Sequence, residues 1–163
     1  MIQLRDARQN ELAALSELCL RSKAVWGYDH AFMMACRTEL TLRPDQLQST
    51  HLQVAIRDCT VVGLVQVKVS GMDADLLKLF VEPALLGSGV GRLLFEWATA
   101  RARDLGAVRM IIEADPGAAA FYEHIGARHA GLAPSQSIPG RMLPRLQMDL
   151  GTTAIARTPM PGG

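Results

Sequence analysis

The spacing of apolar residues changes along the chain from a helical period near the start to extended runs further on. Residues 2–6 predict a short strand. A helix is predicted over 10–22 with Asn10 as its N-cap, and a second one after residue 29, because apolar residues recur every three or four positions in both segments. These apolar faces consist of Leu12, Leu15, Leu18 and Cys19 in the first helix and of Phe32, Met33, Cys36 and Leu40 in the second. Proline is tolerated at the first helical position, so a further helical turn is predicted over Pro44–Ser49.

The next segment has the pattern of strands joined by turns. Runs rich in β-branched residues over 51–57 and 61–70 predict a hairpin around residues 58–60. Another strand is predicted over 75–82, and it ends at Pro83. This part of the chain therefore supplies three strands.

A strongly amphipathic helix and a buried strand follow. The helix is predicted over 90–105 and ends at Gly106, since glycine is the usual residue just past a helix end. Its apolar stripe consists of Val90, Leu93, Leu94, Trp97, Ala98 and Leu105. Residues 108–113 are almost continuously apolar, which is typical of a strand buried on both faces.

The last predicted elements are a short helix and two closing strands. The helix covers 118–125 and is stopped by Gly126. The strands cover 127–133 and 142–150, on either side of a loop rich in Pro, Gly and Ser. The order of elements predicts one mixed α/β sheet with a strand–helix–strand crossover at its centre.

Length and composition limit the possible classes of protein. The chain has 163 residues, 49% of them apolar and 20% charged, which suits one domain with a sizeable core. We assign residues 1–150 to this domain and expect 151–163, which lack an apolar period, to form a flexible tail. A net charge of +1 gives no excess that would favour nucleic acid or an anionic membrane. No membrane-spanning run or secretory signal is found, and the three cysteines lack metal-ligand spacing. We therefore expect a cytoplasmic protein with reduced thiols and no metal site.

A turn with glycine at every second position precedes the long helix. Gly87, Gly89 and Gly91 allow positive φ and close approach of the backbone to a ligand. The first N–H groups of a helix have no internal partner, so the turn is suited to a pyrophosphate. The alternative is a turn that only packs the helix against the sheet. Two other phosphate loops are excluded, because Arg92 stands where a Walker loop needs Lys and where the dinucleotide fingerprint needs its third glycine.

The spacing of this turn resembles motif A of the GNAT superfamily of acyl-CoA-dependent N-acetyltransferases. That motif reads Arg/Gln-x-x-Gly-x-Gly/Ala after a strand ending in Val-x-Pro, and the chain has Val81 and Pro83 followed by Gly89 and Gly91. Leu86 departs from the Arg/Gln position. Backbone N–H groups hold most of the pyrophosphate in this family, so the resemblance still implies binding with part of the affinity lost. Arg92 either compensates or is an ordinary solvated helix residue.

A second segment, residues 115–127, resembles motif B of the same superfamily. The family pattern is Asn/Asp-x-x-Ala-x-x-Phe-Tyr-x-x-x-Gly-Phe/Ala, and Phe121 and Tyr122 match its aromatic pair. Gly117 stands where Asn is common. The resemblance covers roughly residues 1–150. It implies a GNAT fold, which is a mixed, mostly antiparallel sheet of about seven strands splayed at the centre, with about four helices.

The resemblance also implies how acetyl-CoA binds as co-substrate. The pantetheine arm would lie in the splay, hydrogen-bonded near Phe80 and Val81. The pyrophosphate would lie on the turn formed by Leu86, Gly87, Ser88, Gly89, Val90, Gly91 and Arg92. Tyr122 matches the tyrosine that donates a proton to the CoA sulfur in many family members, and the alternative for it is a core aromatic. Glu113, at the end of a buried strand, is a candidate base. Alternatively, Glu113 caps the next helix or faces solvent, and the base acts through a water molecule.

The acceptor site is expected between the N-terminal helices and the last loop. Trp26 and Tyr28 with Asp29 form a dense aromatic and acidic segment, which can hold an amine by cation–π and charge contacts. The alternative is that they only pack two helices together. Ser137 and Arg141 lie in the loop 134–141, which is either a second wall of the acceptor site or an ordinary hairpin connection.

These observations together predict an N-acetyltransferase that moves the acetyl group of acetyl-CoA to a small amine, with a protein amine as the other acceptor class. Neither nucleic acid, a membrane nor a metal ion is expected as a partner. The family often forms dimers, so a homodimer is left open. The rival functions are a non-catalytic acyl-CoA-binding module and a structural dimerisation domain.

Overall fold

The computed structural model describes residues 1–151 as five α-helices and seven strands in one sheet. The strands are β1 (Gln3–Asp6), β2 (His51–Arg57), β3 (Thr60–Ser70), β4 (Asp73–Val81), β5 (Arg109–Glu113), β6 (Arg128–Pro134) and β7 (Met142–Asp149). The helices are α1 (Leu12–Ala24), α2 (His30–Leu40), α3 (Gln46–Ser49), α4 (Val90–Asp104) and α5 (Ala119–His124). The tail predicted over 151–163 lies outside the described residues from position 152 onward.

The sheet has the mixed, mostly antiparallel topology that the order of elements predicts. Its strand order is β1-β2-β3-β4-β5-β7-β6, and every neighbouring pair is antiparallel except β4 and β5. Helix α4 forms the crossover between these two parallel strands. The predicted central crossover and the predicted fold class are therefore confirmed.

The two parallel strands separate halfway along β4. Their pairing begins at Asp73 with Arg109 and stops at Leu76 with Ile112, although β4 continues to Val81. On its other edge β4 carries a bulge, because the register against β3 passes from Leu76 directly to Lys78 and leaves Leu77 out. The sheet is thus open between β4 and β5 beyond Leu76.

Each face of the sheet is covered by its own set of helices. Val65 and Val67 of β3 pack with residues of α4, including Leu94, whereas Leu64 packs with Leu15 of α1 and its neighbours in α2. Because side chains alternate along a strand, Gln66 shares the face of Leu64, and its cross-strand partner in β4 lies on that face too. The open part of the sheet is therefore flanked by α1 and α2 on one side and by α4 and α5 on the other.

Two local predictions are wrong. Asn10 is not the N-cap, because residues Gln9–Glu11 form a short 3-10 turn and α1 begins after it. Glu11 ends this turn instead: its carboxylate accepts a hydrogen bond from Arg8 N at 2.8 Å and binds the guanidinium of Arg5. The helical turn after Pro44 also begins later than predicted, at Gln46.

Across residues 1–151, no helix is both long enough and apolar enough to cross a bilayer.

Candidate active site

The glycine turn before α4 carries a group of backbone donors without partners. Gly87 and Gly89 have φ angles of 81° and 94°, and Gly89 is the N-cap of the helix. Leu93 is the first residue of this helix whose N–H finds an intrahelical acceptor, which is the carbonyl of Gly89 at 3.1 Å. Within residues 1–151, the N–H groups of Gly87, Gly89 and the first three helical residues, Val90 to Arg92, donate to no protein acceptor. These five donors next to a helix N-terminus form a cradle for an anion.

The side chains of the turn add little to this cradle. Leu86 is half-exposed and lines the adjacent cavity without any polar group. The guanidinium of Arg92 lies 3.5 Å from Glu96 one turn along the exposed face of α4, so in this structure Arg92 belongs to a solvated ion pair. The hydroxyl of Ser88 donates to the carbonyl of Leu85 and closes the turn on itself.

A cavity of about 250 Å³ runs from this turn through the open part of the sheet to the other face. Its walls come from β4, the end of β5, α5, both N-terminal helices and the loop between β6 and β7. Among the lining residues are Ser22, Lys23, Trp26, Glu39, Lys78, Phe80, Val81, Leu86, Gly91, Glu113, Asp115, Gly117, Tyr122, Ser135 and Arg141. The cavity therefore reaches from Leu86 and Gly91, at the edge of the anion cradle, to the region predicted to hold the acceptor.

Tyr122 combines a core position with access to the cavity. Its side chain is only 7% exposed, and its ring lies 5.8 Å from that of Phe95 and 5.2 Å from that of Phe121. Among the described residues its hydroxyl has no hydrogen-bond partner, and burial raises the pKa of this phenol above its ordinary value of 10.0. The hydroxyl is therefore protonated at neutral pH and lies in the wall of a cavity to which it can donate a proton.

Glu113 lies at the rim of the same opening. It is exposed at the end of β5 and lines both this cavity and a neighbouring one of about 520 Å³. It does not cap the next helical turn, because Asp115 does so by accepting the N–H of Gly117 at 3.0 Å. Glu113 is thus open to solvent and to both cavities.

Asp115 is the centre of a polar cluster that the sequence did not indicate. Its Oδ2 accepts the hydroxyl of Tyr28 at 2.6 Å and the ammonium of Lys23 at 3.3 Å. Arg141 donates to the hydroxyl of Tyr28 at 2.7 Å and lies 3.8 Å from the same carboxylate oxygen. We call Lys23, Tyr28, Phe32, Asp115 and Arg141 the Asp115 cluster. It joins three loops from distant parts of the chain around one end of the cavity.

The aromatic segment of the N-terminal helices is occupied by the chain's own cations. The rings of Tyr28 and Phe32 are stacked with centroids 3.9 Å apart, and Lys23 Nζ and Arg141 Cζ lie 5.5 Å and 5.1 Å from the Tyr28 centroid. The predicted approach of loop 134–141 to this segment is present. The cations at Tyr28 are supplied by the protein, however. Lys23 and Arg141 line the cavity, whereas Tyr28 does not.

The other residues predicted for the acceptor are divided by the structure. Trp26 lines the cavity, and its ring covers Gly117 so closely that a Cβ at position 117 would lie 2.8 Å from Trp26 Cε3. Asp29 lies outside the cavity lining, because its carboxylate is the N-cap of α2 and accepts the N–H of Phe32 at 2.8 Å. Ser137 also lies outside it and donates its hydroxyl to Glu39. The structure therefore brings Trp26 and Arg141 to the cavity, whereas Asp29 and Ser137, predicted with them, do not line it.

Lys78 is a cavity residue that the sequence analysis missed. It lies on β4 beside the bulge, is 8% exposed, and lines both cavities. Its ammonium donates to Gln66 Oε1 at 3.2 Å, and Gln66 in turn donates to Thr50 Oγ1 at 3.1 Å. Burial is the main cause that lowers the pKa of this lysine. The one signal in the sequence is that Lys78 interrupts the otherwise apolar run 76–81.

The chain is similar to known acetyltransferases in part of its sequence and in its fold. The model of the acetyltransferase (GNAT) domain matches residues 48–126. No curated protein sequence matches the chain. Among solved structures, the PaiA N-acetyltransferase of Thermoplasma acidophilum in complex with coenzyme A has a TM-score of 0.77 at 16% identity, covering 91% of this chain and 99% of its own. A GCN5-related N-acetyltransferase of Rhodopseudomonas palustris has a TM-score of 0.77 at 19% identity, covering 90% and 94%.

A third solved structure carries the same fold at lower similarity. The ribosomal-protein-S18-alanine N-acetyltransferase of Escherichia coli has a TM-score of 0.68 at 17% identity, covering 93% of this chain and 95% of its own. At such identities these structures show the fold, whereas the domain match and the two sequence motifs concern the glycine turn and the residues after it. Residues 48–126 therefore match the GNAT acetyltransferase domain, and the described part of the chain has the GNAT fold.

Proposed function

We propose that the protein is an acetyl-CoA-dependent N-acetyltransferase that acts on a small amine. The observation that carries this proposal is the cavity that reaches from Leu86 and Gly91, next to the N–H groups of the glycine turn, to the charged region between α1, α2 and the β6–β7 loop. An anion cradle at one end suits the pyrophosphate of a CoA ester. The opposite end has room and charge for an acceptor.

The open sheet provides the path for the pantetheine arm. Beyond Leu76 no strand among the described residues covers the β5-facing edge of β4, so the backbone around Phe80 and Val81 is free to bind the amide groups of the arm. The thioester then lies near the bulge, with Tyr122 on the α5 side and Glu113 at the end of β5. This order agrees with the positions that the family motifs imply.

The chemistry is direct attack of the acceptor amine on the thioester carbonyl. The new C–N bond forms, the C–S bond breaks, and the leaving thiolate takes the proton of the Tyr122 hydroxyl. Because burial raises the pKa of Tyr122, the hydroxyl is in the acid form that this step requires. Glu113, or a water molecule next to it, receives the proton that the amine loses.

The first experiment is titration calorimetry with acetyl-CoA and with CoA, followed by thiol release against a panel of amines. We expect binding of both ligands and thiol release with at least one amine. Binding without release on any amine favours the acyl-CoA-binding module, which the apolar Leu86 in place of Arg or Gln also favours. Absence of binding at millimolar ligand refutes both.

Tyr122→Phe tests the general acid. Because the hydroxyl has no partner within residues 1–151, the free energy of unfolding of the variant should stay within about 1 kcal/mol of the wild-type value. Turnover should fall by roughly 100-fold, the low end of what a general acid contributes. Phe95→Leu is the matched control, since it changes the packing of Tyr122 and leaves the hydroxyl. Unchanged turnover of Tyr122→Phe, with chemistry as the slow step, removes Tyr122 from the mechanism.

A further inference from the structure

Lys78 is a buried cation that no part of the proposed reaction uses. Its side chain is 8% exposed on the α1 and α2 face of β4. Of its three N–H donors, one is bound to the amide oxygen of Gln66 at 3.2 Å. Within residues 1–151 no carboxylate forms an ion pair with it. A buried ammonium without a carboxylate partner is costly, so this position favours chemistry or binding that neutralises it.

The position of Lys78 relative to the opening is specific. It is the residue after the Leu77 bulge, two positions beyond the last pair between β4 and β5. It lines the cavity that reaches from the glycine turn, and also the neighbouring cavity toward α2. An acyl group delivered into the open sheet therefore arrives at the wall that contains the Lys78 amine.

The two other lysines of the chain lack this combination. Lys68 is exposed on β3, and the ammonium of Lys23 is paired with Asp115 at 3.3 Å. Burial lowers the pKa of Lys78, so more of its amine is in the neutral, nucleophilic form than in an ordinary lysine at the same pH. Lys78 thus provides a nucleophilic amine in the lining of the cavity.

We propose that the protein acetylates its own Lys78 when acetyl-CoA is bound and no acceptor amine is present. This inference rests on the proposed use of acetyl-CoA. The neutral Nζ attacks the thioester carbonyl, an N–C bond forms, the C–S bond breaks, the amine releases a proton and the thiolate takes one up. The products are acetyl-lysine and the free thiol of CoA. The neutral amide removes the buried charge and can still donate its N–H to Gln66.

The test uses the small number of lysines. The full-length protein is incubated with acetyl-CoA without any amine, and intact mass and peptide mapping report the acetyl groups on Lys23, Lys68 and Lys78. We expect one acetyl group, on Lys78. It should be lost in Lys78→Arg, be retained in the matched control Lys68→Arg, and decrease when excess CoA competes for the site. Acetylation from solution would instead favour the exposed Lys68, and excess CoA would not reduce its extent.

Each outcome decides the proposal. If calorimetry shows bound acetyl-CoA but Lys78 stays unmodified, self-acetylation is refuted and the proposed function stands. Modification of Lys78 at or below the level of Lys68, or modification that excess CoA does not reduce, also refutes it. If acetyl-CoA does not bind at all, the proposed function fails first. The wild-type map with CoA competition decides the question even if Lys78→Arg does not fold.

Discussion

The Asp115 cluster offers the most direct test of how the site is held together. Asp115→Ala removes the N-cap of the turn before α5 and the only carboxylate bound to Lys23 and Arg141 within residues 1–151. The side chains of these two cations are 15% and 19% exposed, so water replaces the lost carboxylate only in part. The variant is therefore expected to loosen three loops at once.

The magnitude follows from the separate contacts. Loss of the cap costs about 1 kcal/mol. Removing one partner of a buried ion pair costs about 3–5 kcal/mol, which partial exposure reduces to about 2 kcal/mol here. The expected loss is then about 3 kcal/mol, or a decrease in Tm of roughly 6–12 °C for a chain of this size. Asp115→Asn keeps an oxygen for the cap and should lose about 2 kcal/mol.

Urea unfolding followed by circular dichroism measures these differences. Asp45→Ala is the matched control, because Asp45 also pairs with an arginine but its side chain is 67% exposed, and the expected loss is below about 1 kcal/mol. If Asp115→Ala and Asp45→Ala differ by less than about 0.5 kcal/mol, the Asp115 cluster does not stabilise the fold as argued.

Three further variants test other parts of the structure. Gly89→Ala forces a side chain into positive φ, so it should lose about 1–2 kcal/mol in urea unfolding and weaken acetyl-CoA binding in calorimetry, whereas an unchanged affinity contradicts the turn as the anion cradle. Gly117→Ala places a Cβ 2.8 Å from Trp26, so the free energy of unfolding should fall by about 1–3 kcal/mol. Adding Trp26→Ala to the same chain should recover most of that loss, and additive losses would show that the two residues do not clash. Burial lowers the pKa of Lys78, so the unfolded chain keeps the lysine proton to a higher pH than the folded chain does. The free energy of unfolding should therefore rise as pH approaches 10.5, and Lys78→Met should remove that rise. Equal pH profiles of the two proteins would refute this.

Much of the fold follows from periodicity. The change from helical spacing to β-branched runs near residue 51 predicted where the sheet continues, and Gly106 ends α4 as expected, with a φ of 96°. The order of elements predicted the parallel pair with its crossover helix. The errors are local, such as Asn10, because capping depends on where a carboxylate like Glu11 finds its partners.

The residues that line the cavity were predicted only where they belong to a continuous segment. The glycine turn and Tyr122 belong to short motifs whose spacing is visible in the chain. Asp29 and Tyr28 are adjacent in sequence, yet one caps a helix and the other binds Asp115, which is 87 positions away. No local pattern encodes such a partner, since burial and charge pairing arise from how separate elements pack.

The sequence by itself determined the elements, their order and the glycine turn before α4, because periodicity, glycine and helix termini act over a few residues. The tertiary structure decided which charges meet. It placed Asp115 between Lys23 and Arg141, covered Gly117 with the ring of Trp26, and left Lys78 in the open sheet without an ion-paired carboxylate among residues 1–151. Each of these depends on long-range packing, where the distance between side chains and their separation from water set the energy.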